Sequence, residues 1–294
     1  MKPEPVSALI SQVFEREAAE AREAGALGYM ARALTLATMP HRRTAQNEFE
    51  RRNGAFTLTM LAPSRVGLPY GSIPRLLVAW LTTEAFLTRE RQIVLGERLS
   101  EFMAKLELVP TGGRWGTITR LRQQMQRLFA ASVSCTYEEG NRWSMDSVRI
   151  AERADLWWSP KAPEQAALWR STVILGERFF EEAVHSPVPV DLRALKKLRR
   201  SPLALDIYCW LTHRMSYLRR PTVIPWAALQ AQFGADYRLT RQFKANFLIQ
   251  LKAVLGEYPE ARVEASEEGL ALKPSPPHIA PQPGALLRNS TMAQ

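Results

Sequence analysis

The sequence predicts an α+β, mainly helical fold of two tandem units, and two observations carry that prediction. The segment Leu205–Thr212 echoes Leu76–Thr82, with Trp, Leu and Thr at matching places. After each segment the same elements follow: a short apolar strand, a second helix, a third helix and a hairpin. Matching order over so many elements marks an internal repeat, which chance likeness between two amphipathic helices does not produce. Such an order is that of a winged helix-turn-helix, whose third helix enters the DNA major groove while the hairpin, or wing, touches the backbone.

Residues 6–39 carry apolar positions at helical spacing (Leu9, Val13, Leu27, Met30, Leu34), and Pro40 with the basic run His41–Arg43 breaks the pattern. This predicts an N-terminal helical extension and linker over residues 1–54. A first winged-helix domain is predicted over residues 55–160, opening on a short strand, Ala55–Leu61. Pro74 suits the first turn of a helix whose inward face is Leu76, Leu77, Trp80, Leu81 and Phe86. Ile93–Leu95 is a strand, Glu97–Leu108 a second helix ended by Pro110, and Thr117–Ala131 the third. Ser132–Tyr137 and Arg142–Ile150, around Glu138–Asn141, read as the wing.

A second winged-helix domain is predicted over residues 161–273. Its front adds a strand, Leu168–Leu175, and helices Glu177–Val184 and Asp191–Leu198. Val223–Ile224 fills the short-strand place, Pro225–Phe233 is the second helix and Leu239–Leu255 the third. Arg262–Ala265 and Leu270–Lys273 form its wing. Residues 274–294 hold five prolines and few core formers, which predicts a disordered tail.

Composition fits a globular protein: of 294 residues, 46% are apolar and 23% charged. Lys and Arg number 39 against 29 Asp and Glu, and the resulting +10 attracts polyanions. Two cysteines, Cys135 and Cys209, are too few for a disulfide framework or a four-cysteine zinc site. The N-terminus turns acidic too soon for a signal peptide. Apolar runs such as Leu76–Leu81 fall far short of the roughly 20 residues a membrane span needs. A cytoplasmic protein with no membrane partner is expected.

The chemistry-bearing residues cluster on the third helices. In the first, Leu121, Met125, Leu128 and Phe129 make the inward face, and Thr119, Arg120, Gln123, Gln126 and Arg127 the opposite one, with Arg122 on the flank and no acid. Arg pairs with guanine O6 and N7, Gln with adenine, and Thr reaches bases or phosphates. The second helix offers Arg238, Thr240, Arg241, Gln242 and Lys252 opposite Phe243, Phe247 and Leu251, with Lys244 on the flank and Ile249 outward. From Asp191 to Lys252, twelve basic residues face only Asp191, Asp206 and Asp236. Lys196, Lys197, Arg199 and Arg200 form a dense basic cluster suited to phosphate contacts, and such contacts make binding salt-dependent. Arg120, Gln123, Arg238, Arg241 and Gln242 are the candidate base readers.

No catalytic residue, metal site or cofactor is expected. There is no P-loop, and the four histidines (His41, His185, His213, His278) form no His-x-His pair. Tyr208 and Tyr217 read as core and surface aromatics rather than nucleophiles. The acidic pairs Glu138–Glu139, Glu181–Glu182 and Glu267–Glu268 read as solvated, and Trp157, Trp158 and Trp169 as packing between domains.

Pro69–Arg75, Gly112–Gln123 and Ser201–Leu211 together resemble the RepA-type replication initiators of broad-host-range plasmids, over roughly residues 55–275. That resemblance implies binding to tandem origin repeats (iterons) as double-stranded DNA and opening of adjacent AT-rich duplex. It also implies recruitment of host initiator and replicative helicase proteins. Homodimers that repress their own promoter, and monomers that initiate, belong to the same implication, as does a larger share of sequence reading by the second winged helix. A plain winged-helix transcriptional repressor and a DNA-nicking replication enzyme are the alternatives.

Overall fold

The computed structural model describes residues 27–36, 38–159, 161–167, 170–234 and 237–279. Among them nine helices share the chain with twelve strands in four antiparallel sheets, so the fold is mixed α/β rather than mainly helical. Strand β1 (Leu27–Met30) and the short helix α1 (Arg32–Leu36) lead into the hairpin β2 (Glu48–Asn53) and β3 (Phe56–Leu61). Then come α2 (Ser72–Thr88), β4 (Gln92–Gly96), α3 (Leu99–Lys105), α4 (Thr117–Ala130) and the strands β5 (Ser132–Glu139), β6 (Arg142–Arg149), β7 (Ala151–Asp155) and β8 (Ser171–Leu175). The chain continues through α5 (Glu177–His185), β9 (Val188–Asp191) and α6 (Leu192–Leu198). It closes with α7 (Pro202–Tyr217), β10 (Thr222–Pro225), α8 (Trp226–Phe233), α9 (Thr240–Glu257), β11 (Val263–Ala265) and β12 (Gly269–Leu272).

The internal repeat is visible in strand pairing. In the second half β10, the short strand after α7, pairs with β12, which pairs with β11, giving the order β10-β12-β11. In the first half β4, the short strand after α2, pairs with β8, which pairs with β7, giving β4-β8-β7. Two helices lie between the first and second strands of each sheet. The hairpin expected to close the first unit does form, as β5 and β6, but β5 pairs with β3 in a sheet of order β2-β3-β5-β6. The register sets Val133 opposite Met60 and Cys135 opposite Leu58. Buried Leu58 and Met60 of β3 thereby gain Cys135 and Val133 as cross-strand neighbours. Ser171–Leu175, read from sequence as the front of the second unit, hydrogen-bonds into the sheet of the first.

The repeated long helices α2 and α7 are joined by a buried ion pair. Arg75 Nε donates to Asp206 Oδ1 at 2.6 Å and Nη2 to Oδ2 at 2.7 Å. Its remaining N–H groups donate to the carbonyls of Gly71, Pro40 and Met39, so all five donors of the guanidinium are used. His41 Nε2 lies 2.7 Å from Asp206 Oδ2. Burial by itself would raise the Asp206 carboxyl, but Arg75 and the His41 hydrogen bond bring it below the usual carboxylate range. Burial lowers His41 more than Asp206 raises it, so the ring is neutral and donates from Nε2.

The N-terminal extension is not simply helical. Residues 6–26 lie outside the described residues, and Leu27 and Met30 do not share a helix with Leu34. Leu27–Met30 instead pairs antiparallel with Val188–Asp191. A Cβ on Gly28 would stand 2.3 Å from Leu192 Cδ2, so glycine lets β1 lie directly against the start of α6. The tail also departs from expectation. Ile279 is buried, and the His278 ring stacks on Tyr258 with centroids 5.0 Å apart. His278 Nδ1 is 2.8 Å from the Tyr208 hydroxyl, and the Tyr258 hydroxyl donates to the Pro276 carbonyl. Two aromatic anchors thus fix residues 274–279 against the core, an effect that proline content does not reveal. Residues 280–294 lie outside the described residues.

His213 is pushed down to about 4, first by burial and then by Arg32 and Arg214. As pH falls below the unfolded value of about 6.5, the unfolded chain binds a proton that the native ring refuses. Stability then falls by about 1.4 kcal/mol per pH unit until the native ring titrates. His41 acts in the same direction. Urea unfolding should show a midpoint that drops steadily between pH 7 and pH 4.5, with a shallower drop in His213→Gln. A flat profile contradicts this assignment.

Candidate nucleic-acid interface

Helix α4 buries Ile118, Leu121, Gln124, Met125 and Leu128 and leaves Arg120, Arg122, Gln123 and Gln126 exposed. Its start is braced by a network within the preceding turn. Thr117 Oγ1 donates to the Val109 carbonyl, the Thr117 and Thr111 amides each bond the other's hydroxyl, and Thr119 Oγ1 donates to the Gly113 carbonyl. A Cβ on Gly116 would meet the Thr111 carbonyl at 2.1 Å, so the turn closes only on glycine. This rigid turn presents Trp115, 80% exposed, with the Arg114 guanidinium 5.2 Å from its ring. Sequence reading passed over that pair; the glycines around it, which free the backbone but bury nothing, were the available signal.

Two predicted contact residues of α4 have structural work. Arg127 is half-buried, donates from Nη1 to the Leu68 carbonyl at 3.0 Å, and lies over the Tyr70 ring. Buried Gln124 accepts from the Tyr70 amide at 2.9 Å. Together they hold the loop before α2 against α4, so Arg127 is a positioning residue here. Thr119 likewise spends its hydroxyl on the turn.

Helix α9 buries Phe243, Phe247, Leu251 and Val254. Arg241, Gln242 and Lys252 are exposed on it, Arg238 is exposed just before it, and Ile249 is 65% exposed. Thr240 Oγ1 donates to Gln230 Oε1 at 2.6 Å, tying α9 to α8. Lys244 lies 4.9 Å from the Trp226 ring centroid and donates to the Ser266 carbonyl at 2.9 Å, so it fastens α9 to the turn between β11 and β12.

The basic cluster is divided. Lys196 meets Glu107 at 2.7 Å, Arg199 meets the same carboxylate at 3.6 Å and its carbonyl at 3.1 Å, and Lys197 meets Glu257 at 2.8 Å. Three of the four predicted phosphate contacts therefore bridge elements of the protein, and Arg200 is exposed. Such half-exposed pairs are worth little each, which leaves those cations exchangeable with a stronger anion.

Glu182 differs from the solvated reading. Its Oε1 accepts from the Ala33 amide at 2.6 Å, and burial raises its pKa. Trp158 stacks on Phe102 and donates to the Gly96 carbonyl, whereas Trp157 is exposed and Trp169 lies outside the described residues. Tyr208 is buried, and burial raises its phenol well above the usual range. Among the described residues no three His, Cys, Asp or Glu side chains converge on a metal position, and no helix is long and apolar enough to cross a membrane.

The architecture has known counterparts. Crystal structures of domains 2 and 3 of RctB are similar at 13% sequence identity. The selenomethionine form matches with a TM-score of 0.53 over 82% of this chain and 97% of that one. Another, spanning RctB residues 155 to 483, matches with a TM-score of 0.50 over 87% and 99%. At that identity the likeness concerns the fold alone. Curated protein sequences yield no match. The family model described as "Plasmid encoded RepA protein" matches residues 68–227, more than half of the chain, and the chain belongs to that plasmid replication initiator family.

Arg127→Ala and Lys244→Ala should each cost about 1 kcal/mol of stability, the worth of a hydrogen bond to a buried or braced carbonyl. Arg120→Ala and Arg241→Ala, whose side chains are exposed, should stay within about 0.5 kcal/mol of wild type. Thermal unfolding checks the split, and equal losses in all four variants contradict it.

Proposed function

We propose that this chain initiates plasmid replication by binding repeated sites in the origin as duplex DNA, through two winged-helix modules and without catalysis. The observation that carries the reading is the repeated strand order, β4-β8-β7 and β10-β12-β11, each with two helices after its first strand. In a winged helix the last of these helices is the one that enters the major groove, which assigns that role to α4 and α9. Each presents exposed Arg and Gln side chains, the residue types that pair bidentately with guanine and adenine.

Within this reading Arg120, Gln123, Arg238, Arg241 and Gln242 read bases. Arg122, Arg200 and the exchangeable Lys196, Lys197 and Arg199 serve the phosphates. Two linked recognition helices read consecutive major-groove faces about one helical turn apart, and docking of one raises the effective concentration of the other. Opening of adjacent AT-rich duplex, recruitment of the host initiator and helicase, and an exchange between homodimer and monomer complete the initiator role. The engaged, buried phenol of Tyr208 favours a non-enzymatic protein over a nicking enzyme. A repressor uses the same fold; only an initiator supports replication of an origin supplied on another replicon.

Binding to origin repeats and to scrambled duplex, each across a salt series, tests the proposal. Repeat-selective binding that persists at physiological salt and weakens about 10- to 100-fold in Arg241→Ala is expected, the worth of one bidentate base contact. Equal and steeply salt-dependent binding to both duplexes contradicts it.

A further inference from the structure

The face of α9 turned away from the core has an apolar centre. At about 100° per residue, Ala245, Ile249 and Gly256 run along its middle line, opposite the buried Phe247 and Val254. All three are exposed, and Ile249 is 65% exposed near the middle of the helix. Arg241 and Lys252 flank this line on one side, and Gln242 with Ala253 on the other. A face made only for water is arranged the other way round, with polar side chains at its centre and apolar ones at its margins. None of the exposed residues of α9 is acidic. The exposed carboxylates that follow it in the chain, Glu260, Glu264, Glu267 and Glu268, belong to the loop and hairpin beyond the helix, and Glu264 is paired with Lys273.

We propose that Ile249 reads a thymine through its 5-methyl group, while Ala245 lets the helix lie close to the base edges. The inference rests on the reading of α9 as a recognition helix and adds a base identity to it. Chemistry is the first argument. Thymine is the base that presents a methyl group in the major groove, and an apolar side chain is what reads it. Cytosine sets an N4 amino donor on the same edge, which an isoleucine would bury without a partner. Position is the second argument. Arg241 and Ile249 are eight residues apart, about 12 Å along the helix, so the thymine falls within about four base pairs of a guanine held by Arg241. Charge is the third, and it separates DNA from a second copy of the chain. Two α9 faces packed on each other would bring Arg241 and Lys252 against the same cations of the partner, with no exposed acid on either helix to pair them. A nucleic acid supplies the anions for those flanks and the methyl group for the centre.

Removal of single methyl groups from the DNA tests this with the full chain. Origin-repeat duplexes in which one thymine at a time is replaced by deoxyuridine keep every base pair and lose only the 5-methyl group. At one thymine, or at two adjacent ones, the wild-type chain should bind the uracil duplex about fourfold more weakly, the worth of one buried methyl group. Ile249→Val should keep most of that difference, and Ile249→Ala should bind the two duplexes equally. The side chain is exposed, so neither variant opens a cavity in the core. Selective binding to the repeat with no uracil-sensitive position, or a sensitivity unchanged in Ile249→Ala, overturns the inference and leaves the proposed function standing. Failure to select the repeat over scrambled duplex overturns both. A change of oligomeric state in Ile249→Ala on sedimentation, with no uracil sensitivity in wild type, overturns it in favour of a contact between two copies.

Discussion

The buried pair of Arg75 and Asp206 is the interaction that sets the two halves of this fold against each other. Arg75 sits near the start of α2, Asp206 near the start of α7, and their bidentate pair joins the two halves of an internal repeat. The guanidinium also gathers the carbonyls of Met39, Pro40 and Gly71, so the strand of chain before α2 is drawn into the same junction. A buried ion pair is not a large net stabiliser, because desolvation offsets most of its attraction. Its value lies in geometry. Loss of either partner strands a charge in the core, at a cost of about 3–5 kcal/mol, so one relative placement of α2 and α7 is strongly preferred. Helices α4 and α9 are both hung from that placement, α4 through the loop clamped by Gln124 and Arg127, and α9 through its packing on α7 and α8.

The division among cations follows from the same logic. Charge count alone made every Lys and Arg on α4, α6 and α9 equivalent. Geometry separates those that brace the protein, such as Arg127 on the Leu68 carbonyl and Lys244 on the Ser266 carbonyl, from those that project into water, such as Arg120 and Arg241. Lys196, Lys197 and Arg199 occupy a third state, paired at the surface with Glu107 and Glu257 and available to a competing phosphate.

Much of this was legible in the sequence, and the failures have physical causes. The long helices and the third helices follow from apolar period, because each buries a face against its own neighbours, and both short strands follow from short apolar runs. The Trp80 and Trp210 echo exposed the repeat. Pairing partners were not legible: Ser132–Arg149 forms the expected hairpin, but which sheet it joins depends on the faces of Leu58 and Met60, far away in sequence. Leu27–Met30 followed helical spacing yet became a strand, because β9 offered its backbone an edge and Gly28 allowed contact with Leu192. For the candidate site, exposed Arg and Gln positions followed from the helical wheel. The structural duties of Thr119, Arg127 and Lys244 did not, since their partners are carbonyls and aromatic rings from other segments.

In the proposed function two recognition helices, fixed by the Arg75–Asp206 junction, read successive faces of one DNA site. Methylation protection of guanine N7 across a single origin repeat measures this directly, because N7 lies on the major-groove edge. Two protected windows on the same face of the duplex, centred about 10 base pairs apart, are predicted for the wild-type chain. A single window, or N7 protection no greater than on scrambled duplex, would contradict that reading.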